Sequence, residues 1–351
     1  MFVYEKQLPT PKELIDETPL SRELTTIKQE RDMEIKRVFD GEDDRLILII
    51  GPCSADHQPT VLKYLSMLAE LQDEVKEHFL MIPRIYTNKP RTKGKGYKGI
   101  GTHPDPLKDA DLITGLKAIR NLHIAAFKET YMSAADEMLY PENLPYLEDI
   151  LGYHAVGARS VENQEHRHVA SGIDIPIGMK NPTSGNIEIM LDAIEAANAG
   201  HVFSYRGHQT RTDGAKLVHA ILRGARDIHG NSIPNYHSDD IGRVIEQYKK
   251  RENIGDAKII IDVNHENSGK RYDMQPRIAK EILWQMSEYP KIRKAVKGLM
   301  IESYMIDGSQ IVNNGDPYIL GKSVTDGCMG FDMTKRTIYG LAEMKSGLTK
   351  L

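Results

Sequence analysis

Four side chains able to ligate a metal recur at the ends of short apolar runs: Cys53 in Gly-Pro-Cys-Ser, His265 in Asp-Val-Asn-His, Glu302 in Met-Ile-Glu-Ser and Asp326 in Ser-Val-Thr-Asp. Soft, imidazole and carboxylate donors from such distant positions suit one divalent ion if the fold brings the run ends together. Each has a plainer reading alone. Cys53 could be a buried apolar thiol, His265 a satisfied core imidazole, and Asp326 a turn cap. Glu302 is harder to dismiss, because an unpaired carboxylate ending an apolar strand is costly to bury.

Cations form a second group. Arg84, Lys89, Arg91, Lys93, Lys95 and Lys98 follow the second apolar run, Arg159 the fourth, Lys180 ends the fifth, and Arg223 lies in Ile-Leu-Arg-Gly. Arginine grips phosphate or carboxylate through paired hydrogen bonds, and lysine adds a mobile point charge, so this set points to a polyanionic substrate. Lys93 and Lys95 read equally well as solvated surface charges.

The elements that must position these groups alternate along the chain. Strands are expected at 46–50, 79–86, 132–137, 155–158, 175–180, 202–205, 258–263 and 299–302, with amphipathic helices such as 61–75 and 188–199 between them. Eight such repeats predict a closed (β/α)8 barrel, whose strand C-termini converge on one catalytic face. Residues 1–44 form an extension with a helix over 21–39 stopped by Gly41, and residues 45–351 form the barrel. Residues 206–240 are too long and irregular for one connection, and are expected to be an inserted loop or hairpin after the sixth strand, near the catalytic face.

Composition bounds the partners. A formal charge of -4 gives no global pull toward nucleic acid or anionic membrane. Two cysteines cannot make a disulfide framework, the N-terminus lacks an apolar signal core, and no run approaches a membrane span, so a cytoplasmic compartment is expected. Gly94 to Gly99 matches Gly-x-Gly-x-x-Gly, but Pro104 and Pro106 interrupt any helix that would follow, which argues against a dinucleotide site. Glu165-His166-Arg167-His168 reads as the start of a solvated helix rather than a chelate, and the tyrosines show no spacing that would make a nucleic-acid platform.

At Lys89-Pro90-Arg91-Thr92, Gly51-Pro52-Cys53-Ser54 and Gly321-Lys322-Ser323-Val324-Thr325-Asp326 the sequence resembles the type I 3-deoxy-D-arabino-heptulosonate 7-phosphate synthases. Gly157-Ala158-Arg159, Gly178-Met179-Lys180-Asn181, Ile221-Leu222-Arg223-Gly224, His265-Glu266-Asn267-Ser268 and Glu302-Ser303 follow in the family's order. The resemblance implies a barrel enzyme condensing phosphoenolpyruvate with erythrose 4-phosphate, using one divalent metal (Mn, Fe, Co or Zn) on Cys53, His265, Glu302 and Asp326. It implies that Arg84, Lys89, Arg159, Lys180 and Arg223 hold phosphoenolpyruvate, with Lys98 nearby, and that Arg91 and Thr92 hold the sugar phosphate. Lys89, His265 and Asp326 would be the catalytic groups. An aromatic amino-acid effector and a homodimer or homotetramer are further implications, and a carboxylate at Asp174 changes the charge of the effector pocket. Cys328, two residues past Asp326, is expected near the site and open to oxidation. Alternatives are a synthase making an eight-carbon 3-deoxy sugar acid, a metal-dependent aldolase, and a catalytically silent sensing barrel.

Overall fold

The computed structural model describes residues 1–91, 96–312 and 318–348. Two helices, α1 (Pro11–Glu17) and α2 (Arg22–Asp40), precede β1 (Leu46–Gly51), α3 (Gln58–Val75), β2 (Phe79–Pro83), α4 (Leu112–Thr130) and β3 (Ala135–Glu137). Next come β4 (Tyr153–Val156), α5 (Gln164–Ala170), β5 (Ile177–Lys180), α6 (Ile187–Asn198), β6 (Val202–Tyr205), β7 (His208–Arg211), β8 (Val218–Leu222), β9 (Ala225–Arg226) and β10 (Ser232–Ile233). The chain closes with α7 (Ser238–Tyr248), β11 (Ile259–Asp262), α8 (Gln275–Glu288), α9 (Pro290–Ala295), β12 (Val296–Glu302), β13 (Ile306–Ser309), β14 (Lys322–Ser323) and α10 (Phe331–Leu348).

Eight parallel strands run in the order β2-β1-β12-β11-β8-β5-β4-β3, and an Arg84–Ala135 bridge closes the ring. This is the expected (β/α)8 barrel. The short apolar runs sit here because strands covered by helices outside and packed inside must be apolar on both faces. β1 and β8 are buried at every position. Inward residues such as Ile47, Ile49, Ile82, Tyr153, Ile221, Ile260 and Met300 fill the interior. At Gly178 a Cβ would stand 2.4 Å from both the Tyr153 hydroxyl and Ile221, so glycine makes room for the tyrosine there.

The sixth strand differs from the sequence expectation. Val202–Tyr205 is a strand, but it pairs antiparallel with β7 in an external hairpin whose positions alternate between exposed and half-buried. The sixth barrel strand is β8, inside the stretch expected to be an insertion. His219 broke its apolar signature, and the short distance from β7 disguised it. A hairpin does follow the sixth barrel strand, formed by β9 and β10.

Helix α2 starts at Ser21, whose side chain accepts from Leu24 N–H, and stops at left-handed Gly41, as expected. Its Ile35, Val38 and Phe39 enter the barrel's interior cluster, with the Phe39 and His219 rings 4.4 Å apart. The extension therefore plugs the N-terminal end of the barrel. Among the described residues no helix is long and apolar enough to cross a membrane.

Candidate active site

The opposite, C-terminal end gathers the candidate residues. Gly51 ends β1 in register with Glu302 at the end of β12, so pairing alone brings the Cys53 loop beside Glu302. A Cβ on Gly51 would lie 2.3 Å from the Arg84 carbonyl oxygen, so only glycine allows β2 to run this close. One ligand atom each from Cys53, Glu302 and Asp326 falls within 4.8 Å of the others, a group able to hold a metal ion.

His265 stands at the edge of that group, with Nε2 3.7 Å from Glu302 Oε1. Its φ of 44° places a non-glycine residue in the left-handed region, a conformation that costs on the order of 1 kcal/mol and has to be held by its surroundings. Nδ1 lies 2.7 Å from Asp262 Oδ2. An ionised carboxylate can only accept, so Nδ1 carries a proton, and Nε2 is the nitrogen turned toward Glu302 and free to ligate once it gives up its own. A thiol and two carboxylates within reach of one another fit a divalent cation; the imidazole lies outside that spacing but is turned toward Glu302, and the Asp262 support is the usual way to orient a ligating imidazole.

Glu302 is fixed on every side. Arg84 donates from Nη2 to Oε1 at 3.0 Å, Asn264 donates from Nδ2 to Oε2 at 2.6 Å, and Gln275 of α8 hydrogen-bonds both the N–H and the C=O of Glu302 at 2.9 Å. Burial would raise the Glu302 carboxyl, but Arg84, His265 and Lys89 outweigh it and hold the group below its usual value. Asp326 is likewise held down, against burial, by Lys89, His265 and Lys270, the last at 3.2 Å. The Cys53 thiol goes the other way, pushed up to about 11 by burial and by Glu302.

Lys89 reaches into the same space, its Nζ 2.8 Å from Cys53 Sγ and 3.1 Å from the Cys53 carbonyl oxygen. Burial alone would lower this ammonium, but Cys53, Glu302 and Asp326 raise it above its ordinary value. It stays a charged proton donor. Cys328 is buried below, its Sγ accepting from Cys53 N–H at 3.3 Å.

The other cations split into two sets. Arg84, Lys180 and Arg223 are almost fully buried. Lys180 is 3.6 Å from Glu137 and 3.9 Å from Asp262, and Arg223 is 3.6 Å from Glu266. These separations keep the charges compensated but exceed a normal hydrogen bond, leaving donors for another anion. Arg84 Nε is a buried donor with no partner among the described residues. Arg91 and Lys98 are half-buried, with Arg91 Nε donating to the Tyr97 carbonyl at 2.7 Å, and Arg159 is exposed in the turn after β4. Thr92, Lys93 and Lys95 lie outside the described residues.

Sequence reasoning missed Glu137 and Asp262, the acids that compensate Lys180. The signal was available for Asp262, which ends the apolar strand Ile-Ile-Ile-Asp just as Glu302 ends its own, whereas Glu137 closes the short strand Ala-Asp-Glu. Both are held below the ordinary carboxyl range against burial, Glu137 mainly by Lys180 and Asp262 mainly by His265. His166 and His168 lie in α5, where His166 Nδ1 pairs with Asn163 and His168 Nε2 with Gln164, in keeping with a helix rather than a chelate.

A closed barrel whose strand ends present buried cations around a candidate metal centre defines an α/β-barrel enzyme for anionic small molecules. The chain belongs to the DAHP synthetase I family, whose model matches residues 22–338. It is 34% identical over 343 residues to the Phe-sensitive phospho-2-dehydro-3-deoxyheptonate aldolase of Escherichia coli K12, covering 96% of this chain and 94% of that one. It is also 34% identical over 341 residues to the Trp-sensitive enzyme of Buchnera aphidicola from Acyrthosiphon pisum, with the same coverage. A solved phospho-2-dehydro-3-deoxyheptonate aldolase from Francisella tularensis superposes with a TM-score of 0.90 at 30% identity, covering 99% of both chains.

Proposed function

We infer that the protein condenses phosphoenolpyruvate with erythrose 4-phosphate, giving 3-deoxy-D-arabino-heptulosonate 7-phosphate and inorganic phosphate, the first step of the shikimate route to aromatic amino acids. The observation that carries this reading is the placement of Lys89 against the Cys53, Glu302 and Asp326 group, amid buried cations with unspent donors. Cys53, His265, Glu302 and Asp326 would hold one divalent metal, Mn, Fe, Co or Zn, which when bound supplies Lewis-acid polarisation of a carbonyl oxygen.

The chain's own groups account for the rest. Arg84, Lys89, Arg159, Lys180 and Arg223 bind the phosphate and carboxylate of phosphoenolpyruvate, with Lys98 nearby, and Arg91 and Thr92 hold the sugar phosphate. Fixing both substrates turns a bimolecular encounter into a local one. The enol carbon pair then bonds to the aldehyde carbon while the carbonyl electrons move to its oxygen. Lys89 delivers a proton from Nζ to that oxygen. Glu302 and Asp326 temper the positive charge growing at the former enol carbon. Water adds there, and the resulting tetrahedral centre loses inorganic phosphate to leave the ketone.

An aromatic amino acid is the proposed effector. Equal identity to Phe-sensitive and Trp-sensitive relatives favours neither. Residues 1–44 are proposed to add contacts within a homodimer or homotetramer to their seat on the 45–351 barrel, in a cytoplasmic enzyme.

The test is phosphate release by metal-reconstituted protein given phosphoenolpyruvate and erythrose 4-phosphate, with arabinose 5-phosphate as a competing acceptor. Turnover with erythrose 4-phosphate is expected. Turnover with arabinose 5-phosphate alone would move the protein to eight-carbon sugar acid synthesis, and none with either would refute the reading.

A further inference from the structure

A second cavity, of about 970 Å³, lies at the barrel's other end. It is framed by the C-terminus of α2, the start of β1, the segment linking α7 to β11, the turn into α9 and the start of β12. The volume is typical of small-molecule sites. Buried Val38, Ile245, Tyr248, Met286 and Val296 back it, and lysine and arginine side chains line its open part.

The charges around it do not cancel. Lys258 pairs with Asp40 at 3.0 Å, Lys294 with Asp256 at 2.8 Å, and Arg45 with Asp43 at 2.7 Å. Among the described residues, Lys291, Arg293 and Lys297 line the cavity with no hydrogen bond or ion pair from the side chain. Lys291 and Arg293 are exposed at the rim, whereas Lys297 is half-buried.

Lys297 matters most. Its Nζ lies 3.5 Å from where a Cβ on Gly41 would stand, at the C-terminus of α2. A lysine there can cap helix carbonyls. Among the described residues Lys297 makes no such bond, and Gly41 and Glu42 N–H groups take the Val38 and Arg37 carbonyls. Burial, then Lys258 and Lys294, lower its ammonium below the ordinary value, with Asp40 and Asp256 opposing them. A half-buried cation beside other cations is stabilised by an anion, and the aliphatic stems of the lining lysines and arginines give an apolar body a surface to rest on.

We propose that this cavity binds a small organic anion, one acidic group on a compact ring, with the acidic group on Lys297 and the ring against the aliphatic stems of the neighbouring lysines and arginines. The inference is independent of the catalytic reading. The site sits at the far end of β1 and β12, the two strands that deliver the Cys53 loop and Glu302. Strand length separates the two sites by roughly 20 Å.

The test uses 8-anilinonaphthalene-1-sulfonate, an aromatic monoanion, in fluorescence titrations of the full chain and of Lys297→Glu and Lys297→Met. A parallel measurement follows acetylation of Lys297 in the unaltered protein by mass spectrometry, with and without the probe. The expected result is at least tenfold weaker binding for Lys297→Glu, a smaller loss for Lys297→Met, and protection of Lys297 by the probe. The acetylation arm needs no variant, so a misfolded substitution leaves the proposal exposed to refutation. Unchanged acetylation in the presence of bound probe would overturn it. So would a Lys297→Glu protein that binds the probe normally but sediments as a different oligomer, since the cation would then serve an interface between copies.

Discussion

The two ends of this barrel handle ionisable groups in opposite ways. At the C-terminal mouth, buried Arg84, Lys180 and Arg223 face Glu302, Glu137, Asp262 and Glu266, so charge is kept and compensated inside the protein. Toward the N-terminal end, His219 packs between Phe39 and Tyr153, and both it and His154 on β4 are lowered to about 3 chiefly by burial. Charge is excluded from the barrel interior there and kept to the rim. One end holds charge inside the barrel, and the other shuts the barrel around a neutral core.

The largest test of that contrast is Lys89→Met. If Lys89 is the proton donor proposed above, its loss should reduce kcat on the order of 10³-fold, about 4 kcal/mol in barrier, while metal content stays near that of the unaltered protein. Equal losses of metal and rate, measured by elemental analysis beside steady-state kinetics, would make Lys89 a structural support for the ligands instead.

At the plug, Phe39→Ala should cost about 3–5 kcal/mol in urea unfolding by opening a cavity, with kcat of the folded fraction unchanged. A matching fall in kcat would erase the division between the two ends.

The smallest effect is electrostatic. His154 and His219 have folded pKa values near 3 and an unfolded value of about 6.5, so below pH 6.5 the unfolded chain binds protons that the folded one refuses. Stability is therefore retained above that pH and lost as pH falls toward 3, by up to about 1.4 kcal/mol per unit for each histidine. His219→Gln should flatten the dependence between pH 7 and 5.5. An unchanged slope would show that other groups govern acid unfolding.

Much of the mouth was legible in the sequence because buried charge is rare: Glu302 and Lys180 end apolar runs, and few explanations survive there. Asp262 carried the same mark and was passed over, while Glu137 ends a three-residue strand with an aspartate beside it, too short and polar to stand out. The bottom was less legible. A thin apolar stripe in α2 signals docking but not the target, and the imidazole of His219 hides a barrel strand whose inward face is sealed by Phe39 and Tyr153. Val202–Tyr205 misled for the converse reason, since an exposed hairpin arm of β-branched and aromatic residues has the composition of a core strand.

The register Gly51↔Glu302 joins the first barrel strand to the last. Cys53 is translated well before Glu302 and Asp326. No nascent chain short of Asp326 can assemble the three-residue group, so even a chain that has completed the eighth strand, Val296–Glu302, still lacks it. Assembly of the group thus waits until the chain has been made as far as Asp326, and a product truncated before that residue lacks it by topology.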